Sequence, residues 1–375
     1  MMVKLGDVVN RVNGNVDRFT TDLQYYIGGE HYDSNELLIQ KRGSIQKDIN
    51  ILGFKFHFPF QAKDVIFMSR NPHLRKAGMV NFSGLCSDSS YILRTKNNDV
   101  LYEMYLPIVL QTDDFWDYCE THKSGGVNFL VNWGTLAAYE FELPPITEQK
   151  EIADKVWAAY NLKESYKKMI EATDEMVKSR FIEMFGSLER VKLADYIKVV
   201  RGVSYKPDDV RDAEGAIILR SNNINNGELN LDDIIRVNPA RVSMDQRLQI
   251  GDIVICASNG SKALVGKAAV NKNLEGNIAH GAFCILVRPI SDKIEPYYLN
   301  TFFQTRLYKD QIDELAAGSN ILNIKPDYLN DMELPIPDID TQKMFVEVVE
   351  QADKSKFELR EAIKRVESMM KSLMN

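Results

Sequence analysis

Polar and apolar residues follow the same pattern in two long stretches of the chain. One stretch follows the sequence LPPITEQK, which begins at Leu143, and the other follows LPIPDIDTQK, which begins at Leu334. Aligning Gln149 with Gln342 gives a shift of 342 − 149 = 193 residues. At this shift the apolar positions of the two stretches coincide: Ile152, Val156, Ala159, Tyr166, Ile170 and Val177 lie over Phe345, Val349, Ala352, Leu359, Ile363 and Met370.

The spacing of these positions predicts a pair of helices. When Lys163 and Thr173 are counted, the steps alternate between four and three residues. A mean spacing of 3.5 residues is typical of a helix whose apolar side stays against a partner in a left-handed coiled coil. Neither Gly nor Pro interrupts residues 147–185. We expect the two helices to pack on each other; the alternative is that each packs on its own domain.

The repeat extends over the whole chain. VKLGDVV at Val3 matches VKLADYI at Val191, a shift of 191 − 3 = 188, and FQAKDVIF at Phe60 matches LQIGDIVI at Leu248, a shift of 248 − 60 = 188. The predicted plan is a globular domain at 1–143, a helix at 144–187, a second domain at 188–337 and a second helix at 338–375. If the domains fold alike, each helix leaves its domain in the same way, and the helix pair is predicted to be antiparallel.

Short β-like runs are mixed with helical patterns inside each predicted domain. The predicted strands lie at 65–68, 91–94, 216–220, 251–257 and 282–288, and the predicted helices at 102–118 and 296–315. The predicted fold class is therefore α/β (α+β), with two pseudo-repeated globular domains separated by two long helices that form an antiparallel coiled coil.

Composition restricts the class of protein. A chain of 375 residues with 45% hydrophobic residues is long enough for two or three domains with real cores. The net charge of −7 argues against a protein that coats nucleic acid indiscriminately, although it permits local basic surfaces. The sequence shows neither a signal peptide nor an apolar run of membrane-spanning length, so we expect a cytoplasmic protein. The cysteines lack metal-site spacing and are expected to be buried thiols: Cys86, Cys119, Cys256 and Cys284.

Sequence patterns for catalysis are incomplete. The run from Gly260 to Ala268 resembles a phosphate-binding loop, but five residues separate its glycines and Ala268 replaces the magnesium-binding Ser or Thr. Glu148-Gln149-Lys150 has the local spelling of a nuclease motif, yet it opens a helix, and helix capping by Thr147 or Asp340 explains this segment better. The histidines are scattered without metal-site spacing. We therefore predict no catalytic residue, no metal site and no cofactor bound by this chain.

Polar side chains of the kinds that contact DNA cluster in turn-rich loops. Arg pairs with guanine edges and Asn with adenine edges in the major groove, whereas Lys more often contacts phosphate. The alternative for any one Asn is that it only stabilises its turn. In the second domain the candidates are Arg201, Lys206, Arg220, Asn222, Asn223, Asn225, Ser258, Asn259, Ser261, Lys262, Lys267, His280, Ser319, Asn320, Asn323 and Lys325. In the first domain they are Arg42, Lys47, Ser69, Arg70, Asn71, His73, Arg75, Lys76, Asn128 and Asn132.

With these features in place, the chain resembles the specificity subunit of type I restriction-modification systems. The resemblance covers essentially the whole chain and depends on VKLGDVV, VKLADYI and the two LP…QK helix starts. It also depends on RGVSYKPDD at Arg201, LRSNNINNGEL at Leu219 and GDIVICASNGSKALVGKAA at Gly251. The first domain departs from this pattern, because Lys63 stands where the second domain has Gly251 and no YKPDD-like loop is present.

The resemblance implies a function without catalysis. Each domain would be a target recognition domain for one half of a bipartite DNA site, and the coiled coil would set the spacer and dock the modification subunits. Those subunits would methylate adenine N6 with S-adenosylmethionine, and restriction subunits would supply ATP- and Mg-dependent translocation and cleavage. Two alternatives stay open: a specificity fragment of a fused methylase-nuclease, and a coiled-coil scaffold that does not bind DNA.

Overall fold

The computed structural model describes residues 1–126, 129–290, 292–316 and 323–375. The chain divides into two compact units, one made of Met1–Lys167 with Arg360–Asn375 and the other of Lys168–Leu359. The boundary between them falls inside both long helices, so each unit contains a part of each helix.

The first unit combines two four-stranded sheets with short helices. One sheet has the order β2-β9-β6-β7 and the other β4-β3-β8-β5, and β1 pairs with β10. The strands are β1 (Met2–Lys4), β2 (Val9–Val12), β3 (Tyr25–Ile27), β4 (Gly43–Ser44), β5 (Phe56–Phe60), β6 (Val65–Met68), β7 (Ala77–Met79), β8 (Gly84–Ser87), β9 (Ser90–Thr95) and β10 (Glu140–Glu142). The helices are α1 (Leu5–Val8), α2 (Ile45–Asp48), α3 (Leu106–Val109), α4 (Asp113–Thr121), α5 (Trp133–Ala137) and the first part of α6 (Ile146–Phe185).

The second unit repeats this plan with additional strands. Its sheets have the orders β12-β21-β18-β19-β16-β15 and β13-β17-β14-β20, and β11 pairs with β22. The strands are β11 (Arg190–Lys192), β12 (Ile197–Arg201), β13 (Val210–Arg211), β14 (Ala216–Leu219), β15 (Ile224–Asn225), β16 (Gly227–Leu229), β17 (Ile235–Val237), β18 (Ile253–Cys256), β19 (Ala268–Val270), β20 (Ile278–His280), β21 (Cys284–Pro289) and β22 (Glu333–Pro335). The helices are α7 (Pro296–Phe302), α8 (Arg306–Ala316), α9 (Pro326–Asp331) and the first part of α10 (Ile339–Met374).

Equivalent interactions close the two units. Val3 pairs with Phe141 in β1–β10, and Val191 pairs with Leu334 in β11–β22, at the sequence shifts of 188 and 193. The carboxylate of Asp64 accepts two hydrogen bonds from Arg94, at 2.7 and 2.9 Å. The carboxylate of Asp252, which lies 188 residues later, accepts two from Arg288, at 2.8 and 2.7 Å. The mixed α and β fold class and the duplication are confirmed.

The departure at Lys63 leaves the backbone unchanged. Lys63 adopts φ +74°, and Gly251 at the equivalent position adopts φ +86°. Both residues lie in the left-handed region that favours glycine. In the second unit Gly251 meets this requirement without strain, whereas the first unit holds a lysine there whose ammonium group pairs with Glu103.

Within each unit the long helices pack on each other, as the spacing of apolar positions predicts, and they run antiparallel, as the duplication predicts. In the second unit the carboxylate of Asp174 accepts a hydrogen bond from Lys356 at 2.7 Å, and the rings of Phe181 and Phe345 lie 5.5 Å apart. Residue numbers therefore rise along α6 while they fall along α10. In the first unit one apolar cluster contains Val156, Ala159 and Tyr160 of α6 together with Val366 and Met370 of α10.

A fully buried glutamine anchors the start of each long helix. Gln149 accepts from Tyr102 N at 2.9 Å and donates to the carbonyls of Val100 and Pro144 at 2.9 and 2.8 Å. Gln342 accepts from Glu295 N at 2.9 Å and donates to two carbonyls at 2.8 Å, those of Lys293 and Pro337. The glutamine of the shared QK motif is therefore structural.

The prediction that Thr147 or Asp340 caps a long helix is wrong. Asp338, and not Asp340, accepts the hydrogen bond from Thr341 N at 2.9 Å, because α10 begins at Ile339. In the first copy Pro145 occupies the position of Asp338, and Thr147 lies inside the first turn of α6.

The two predicted shorter helices are each interrupted. The stretch at 102–118 forms α3 and α4, and the stretch at 296–315 forms α7 and α8. A threonine lies at each break: the hydroxyl of Thr112 donates to Val109 O at 2.9 Å, and that of Thr305 donates to Phe302 O at 2.7 Å. Their separation is again 305 − 112 = 193 residues. Hydroxyl groups that bond to the local backbone compete with helical hydrogen bonds, which explains why the helices stop there.

Candidate nucleic-acid interface

Three predicted loops of the second unit and the turn at Phe283 meet at one edge of its sheets. The side chain of Asn259 donates to the hydroxyl of Ser221 at 3.0 Å, and Ser258 N donates to the carbonyl of Phe283 at 3.1 Å. Ser258 also forms a β-bridge with Asn323. Residues that lie up to about a hundred positions apart in the sequence are therefore neighbours on one surface, which we call the loop cluster of the second unit.

Strand direction explains why these loops come together. β14 and β20 run parallel, with Leu219 opposite His280, so the loops that follow both strands emerge at the same edge. The loop after β12 joins them, because Val203 N donates to the carbonyl of His280 at 2.8 Å. That loop carries the exposed side chains of Arg201 and Lys206.

The first unit brings three of its candidate residues, Arg70, Asn71 and Asn132, together at the equivalent place, which we call the loop cluster of the first unit. Arg70 forms a β-bridge with Leu130, as Ser258 does with Asn323 at positions shifted by 188 and 193. Asn71 N donates to the carbonyl of Phe129 at 2.9 Å. The side chain of Asn132 donates to the hydroxyl of Ser124 at 3.3 Å.

Some polar residues of the second unit are held in place by an acidic neighbour. The guanidinium of Arg220 pairs with the Asp233 carboxylate at 2.8 Å, and the amide of Asn222 donates to the same carboxylate at 2.7 Å. The amide of Asn225 donates to the carbonyl of Asn222 at 3.2 Å. These contacts fix the side chains before any ligand binds, while Asn222 and Asn225 remain exposed.

The structure corrects the prediction for three residues. His280 and Asn223 are completely buried, and Ser69 is 1% exposed, so none offers surface for a direct contact with DNA. The side-chain amide oxygen of Asn223 accepts a hydrogen bond from Arg220 N at 2.9 Å, which stabilises the turn, and the Ser69 hydroxyl donates to Ser89 O at 2.7 Å. Burial lowers the pKa of His280 to about 4, so its ring is neutral at pH 7 and is held by Val200 O at 3.1 Å.

Other candidates of the first unit have intramolecular partners and partial exposure. The Arg75 guanidinium donates to Asp113 at 2.7 Å, and Arg75 together with Lys371 holds the pKa of that carboxyl below its usual value. Lys76 donates to Gly29 O at 2.7 Å. The exposed Arg42 guanidinium lies 3.9 Å from the centre of the Tyr25 ring, which orients its planar group.

The remaining candidates divide by exposure. Exposed side chains are those of Lys47, Arg70, His73, Asn132, Ser261, Lys262, Asn323 and Lys325, and partly exposed ones are those of Asn71, Ser258, Asn259 and Lys267. Asn128, Ser319 and Asn320 lie outside the described residues. All of these remain predicted contacts.

The loop at 260–268 lacks the architecture of a phosphate-binding loop. A three-residue 3-10 turn, Lys262–Leu264, follows β18 and its loop, and strand β19 then begins at Ala268. The helix whose N-terminus would bind the phosphates of a nucleotide is therefore replaced by a strand. Within the described ranges no group of three or more His, Cys, Asp or Glu side chains could hold a metal ion.

An exposed aromatic residue at the interface was not predicted from the sequence. Phe283 is 72% exposed and contributes its carbonyl to the loop cluster of the second unit. The sequence predicts a strand at 282–288, but β21 begins at Cys284, so Phe283 lies in the turn that precedes the strand. The signal in the sequence is a phenylalanine two residues after Gly281, in GAFC.

Two further predictions concern the cysteines and the length of the apolar segments. All four cysteines are buried free thiols, as expected. Burial raises the pKa of Cys86, Cys119 and Cys284 to about 12. Among the helices in the described part of the chain, none has both the length and the apolar character needed to cross a bilayer.

Comparison with known proteins places this architecture in one family. The family model for the type I restriction modification DNA specificity domain matches residues 1–172 and 187–367. A segment of 170 residues is 35% identical to the type I restriction enzyme StySPI specificity subunit of Salmonella potsdam and covers 44% of this chain and 36% of that protein. A segment of 153 residues is 36% identical to the EcoKI specificity subunit of Escherichia coli K12 and covers 40% of this chain and 32% of that protein. Each match thus spans about a third of the relative's length.

Solved structures support the fold along the full chain. A structure that describes complex assembly and conformational transition of a type I restriction-modification system matches with a TM-score of 0.56 at 17% identity, covering 100% of this chain and 96% of that one. The specificity subunit from M. genitalium matches with a TM-score of 0.51 at 12% identity, covering 100% of this chain and 94% of that one. The chain therefore belongs to the family of type I restriction modification DNA specificity domains.

Proposed function

We propose that this chain is the DNA-binding specificity subunit of a type I restriction-modification complex, and that each unit recognises one half of a bipartite DNA site. The observation that supports this most directly is the duplicated loop cluster. The Arg70–Leu130 and Ser258–Asn323 bridges gather different exposed polar side chains at the same place in two similar folds. Similar backbones with different side chains are what two unlike half-sites require, because base edges are distinguished by the donors and acceptors that face them.

In this proposal the helix pair is both spacer and docking element. A paired helix is stiffer than a loop, so it would keep the two loop clusters at a fixed separation along DNA. Modification subunits would dock on it and bring S-adenosylmethionine to adenine N6, and restriction subunits would bring ATP and Mg. The chain itself would contribute specificity and no catalysis, and the complex would act in the cytoplasm.

Methylation of DNA tests the proposal. The purified chain should transfer no methyl group, whereas the chain assembled with its modification subunit should methylate adenine in a site with two separated half-sites. Sequencing methylated adenines in DNA treated with each preparation reports both half-sites and the spacer between them. Methylation or cleavage by the chain alone would contradict the proposal, and so would methylation by the complex at one continuous site.

A further inference from the structure

Phe283 is a large apolar side chain that the fold leaves in solvent. It is 72% exposed, although an exposed phenylalanine ring is unfavourable in water. It occupies a tight turn between β20 and β21, closed by a 2.8 Å hydrogen bond from Cys284 N to the carbonyl of Gly281. Nothing in the chemistry of a turn requires an aromatic residue at this position.

The turn is held from two sides, so the ring projects from a rigid base. The carbonyl of Phe283 accepts hydrogen bonds from Ala257 N at 2.9 Å and from Ser258 N at 3.1 Å. On the other side Gly202 lies so close that a β-carbon there would collide with the carbonyl of Gly281. A fixed backbone reduces the entropy that an aromatic contact loses on binding.

The duplicated unit has a different residue at the same place. Ser89 O accepts a 2.9 Å hydrogen bond from Ser69 N, just as Phe283 O accepts one from Ala257 N. The two donors differ by 257 − 69 = 188 and the two acceptors by 283 − 89 = 194, which matches the shifts of the repeat. The position is thus a small polar residue in one unit and an exposed aromatic ring in the other. If the fold required an aromatic side chain at this position, both units would be expected to have one.

We propose that Phe283 is a specificity-determining residue that packs on the 5-methyl group of a thymine in the half-site recognised by the second unit. This inference rests on the proposed function. Thymine presents its methyl group in the major groove, where apolar side chains contact it. Ser258, Asn259 and Asn323 surround the turn with side chains of the kind that bind base edges in the same groove. An apolar ring among them adds a contact that only thymine can accept.

A double-mutant experiment tests this contact. Binding of the assembled complex to its site is measured on duplexes in which each thymine of the half-site is replaced in turn by deoxyuridine, which lacks the methyl group. For the unsubstituted protein, one replacement should weaken binding about fourfold, the effect of exposing one methyl group. Phe283→Ala should weaken binding to the thymine duplex about tenfold and abolish the response to that replacement, while Phe283→Leu should retain part of it.

The control is Ile250→Ala. Ile250 is 58% exposed and precedes β18, whereas the loop cluster follows β18, so the control removes an exposed apolar side chain at the opposite end of the same strand. It should leave binding and the uracil response unchanged. Thermal melting of each variant verifies folding.

The outcomes separate the two claims. If the complex prefers its site but no thymine methyl matters, or if Phe283→Ala keeps the uracil response of the unsubstituted protein, then the inference about Phe283 is wrong and the proposed function stands. If the complex binds its site no better than a scrambled duplex, both are wrong.

Discussion

At the residue scale, the most informative side chains are the two buried glutamines. A glutamine in the first turn of a long helix is easily mistaken for part of an exposed motif. In each copy the amide instead satisfies one backbone N–H and two carbonyls of the segments around it. Backbone groups buried without partners destabilise a fold, so a side chain that satisfies several of them is hard to replace.

Replacing Gln149 by Ala should destabilise the first unit by about 3 kcal/mol, because it leaves buried backbone groups without partners and opens a small cavity. The free energy of unfolding from urea titration measures this. The exposed neighbour Glu151→Ala is the matched control and should change stability by less than about 0.5 kcal/mol. A Gln149→Ala variant as stable as its control would show that water satisfies these groups equally well.

At the element scale, each long helix carries a buried lysine at an equivalent position of its apolar side. Lys163 is 3% exposed and pairs with Glu36 at 2.8 Å, and Lys356, 193 residues later, is 6% exposed and pairs with Asp174 at 2.7 Å and Asp353 at 2.9 Å. Burial lowers the pKa of Lys356 and its hydrogen bonds to both carboxylates raise it, with a net rise. Removing one member of a buried ion pair is strongly destabilising, because the opposite charge stays buried without a partner.

Lys356→Met should therefore destabilise the second unit by about 2–3 kcal/mol, because Asp174 and Asp353 lose a cation while remaining partly buried. Lys354→Met, at an exposed position of the same helix, is the control. Chemical denaturation at pH 7 measures both. Equal stability of the two variants would contradict a stabilising role for the ion pairs.

The pH dependence follows from the same contacts. Burial raises the pKa of Asp353, while Lys272 and Lys356 lower it, with a net fall below the ordinary 3.8. A carboxyl whose pKa is lowered by folding adds stability above its unfolded pKa and loses it as pH falls through the folded value. The free energy of unfolding of the second unit should thus decrease below about pH 4. In the Lys356→Met variant this decrease with falling pH should be less steep. A titration of unfolding free energy against pH compares the slopes.

At the scale of the whole molecule, the two units share one set of contacts and differ in another. Both units keep the closing strand pair, the buried aspartate paired with an arginine, and the buried glutamine, and they differ in the exposed side chains of their loop clusters. The shared contacts define the scaffold, and on the proposed function the divergent side chains are those whose substitution should change specificity without loss of folding.

The spacer prediction belongs to this scale. Inserting four residues after Ser165 of α6, with four after Glu358 of α10, lengthens each helix by about 6 Å. On the proposed function, the spacer of the methylated site should grow by about two base pairs, since base pairs rise about 3.4 Å. Methylated-site sequencing with the assembled complex measures this. Four residues inserted after the exposed Asp212, outside the helices, should leave the spacer unchanged; changed half-sites in the helix variant would contradict the spacer role.

Several features could be predicted from the sequence because they depend on periodicity. The helix pair follows from the 3.5-residue spacing, and the strands at 65–68, 91–94 and 251–257 follow from short apolar runs. The breaks at Thr112 and Thr305 were missed, because a hydroxyl that ends a helix looks like any other polar position. The burial of His280, Asn223 and Ser69 was missed because turn residues are polar whether they face solvent or the core.

The sequence by itself determined the duplication, the mixed α and β class, the antiparallel helices and the residue types available for DNA contact. These properties are local or periodic, so they are present in the order of residues. Only the tertiary structure decided which polar side chains have surface to offer, that loops from distant strands share one edge, and that Phe283 lies among them. Exposure and proximity depend on how strands from separate parts of the chain pair, and no short stretch of sequence contains that information.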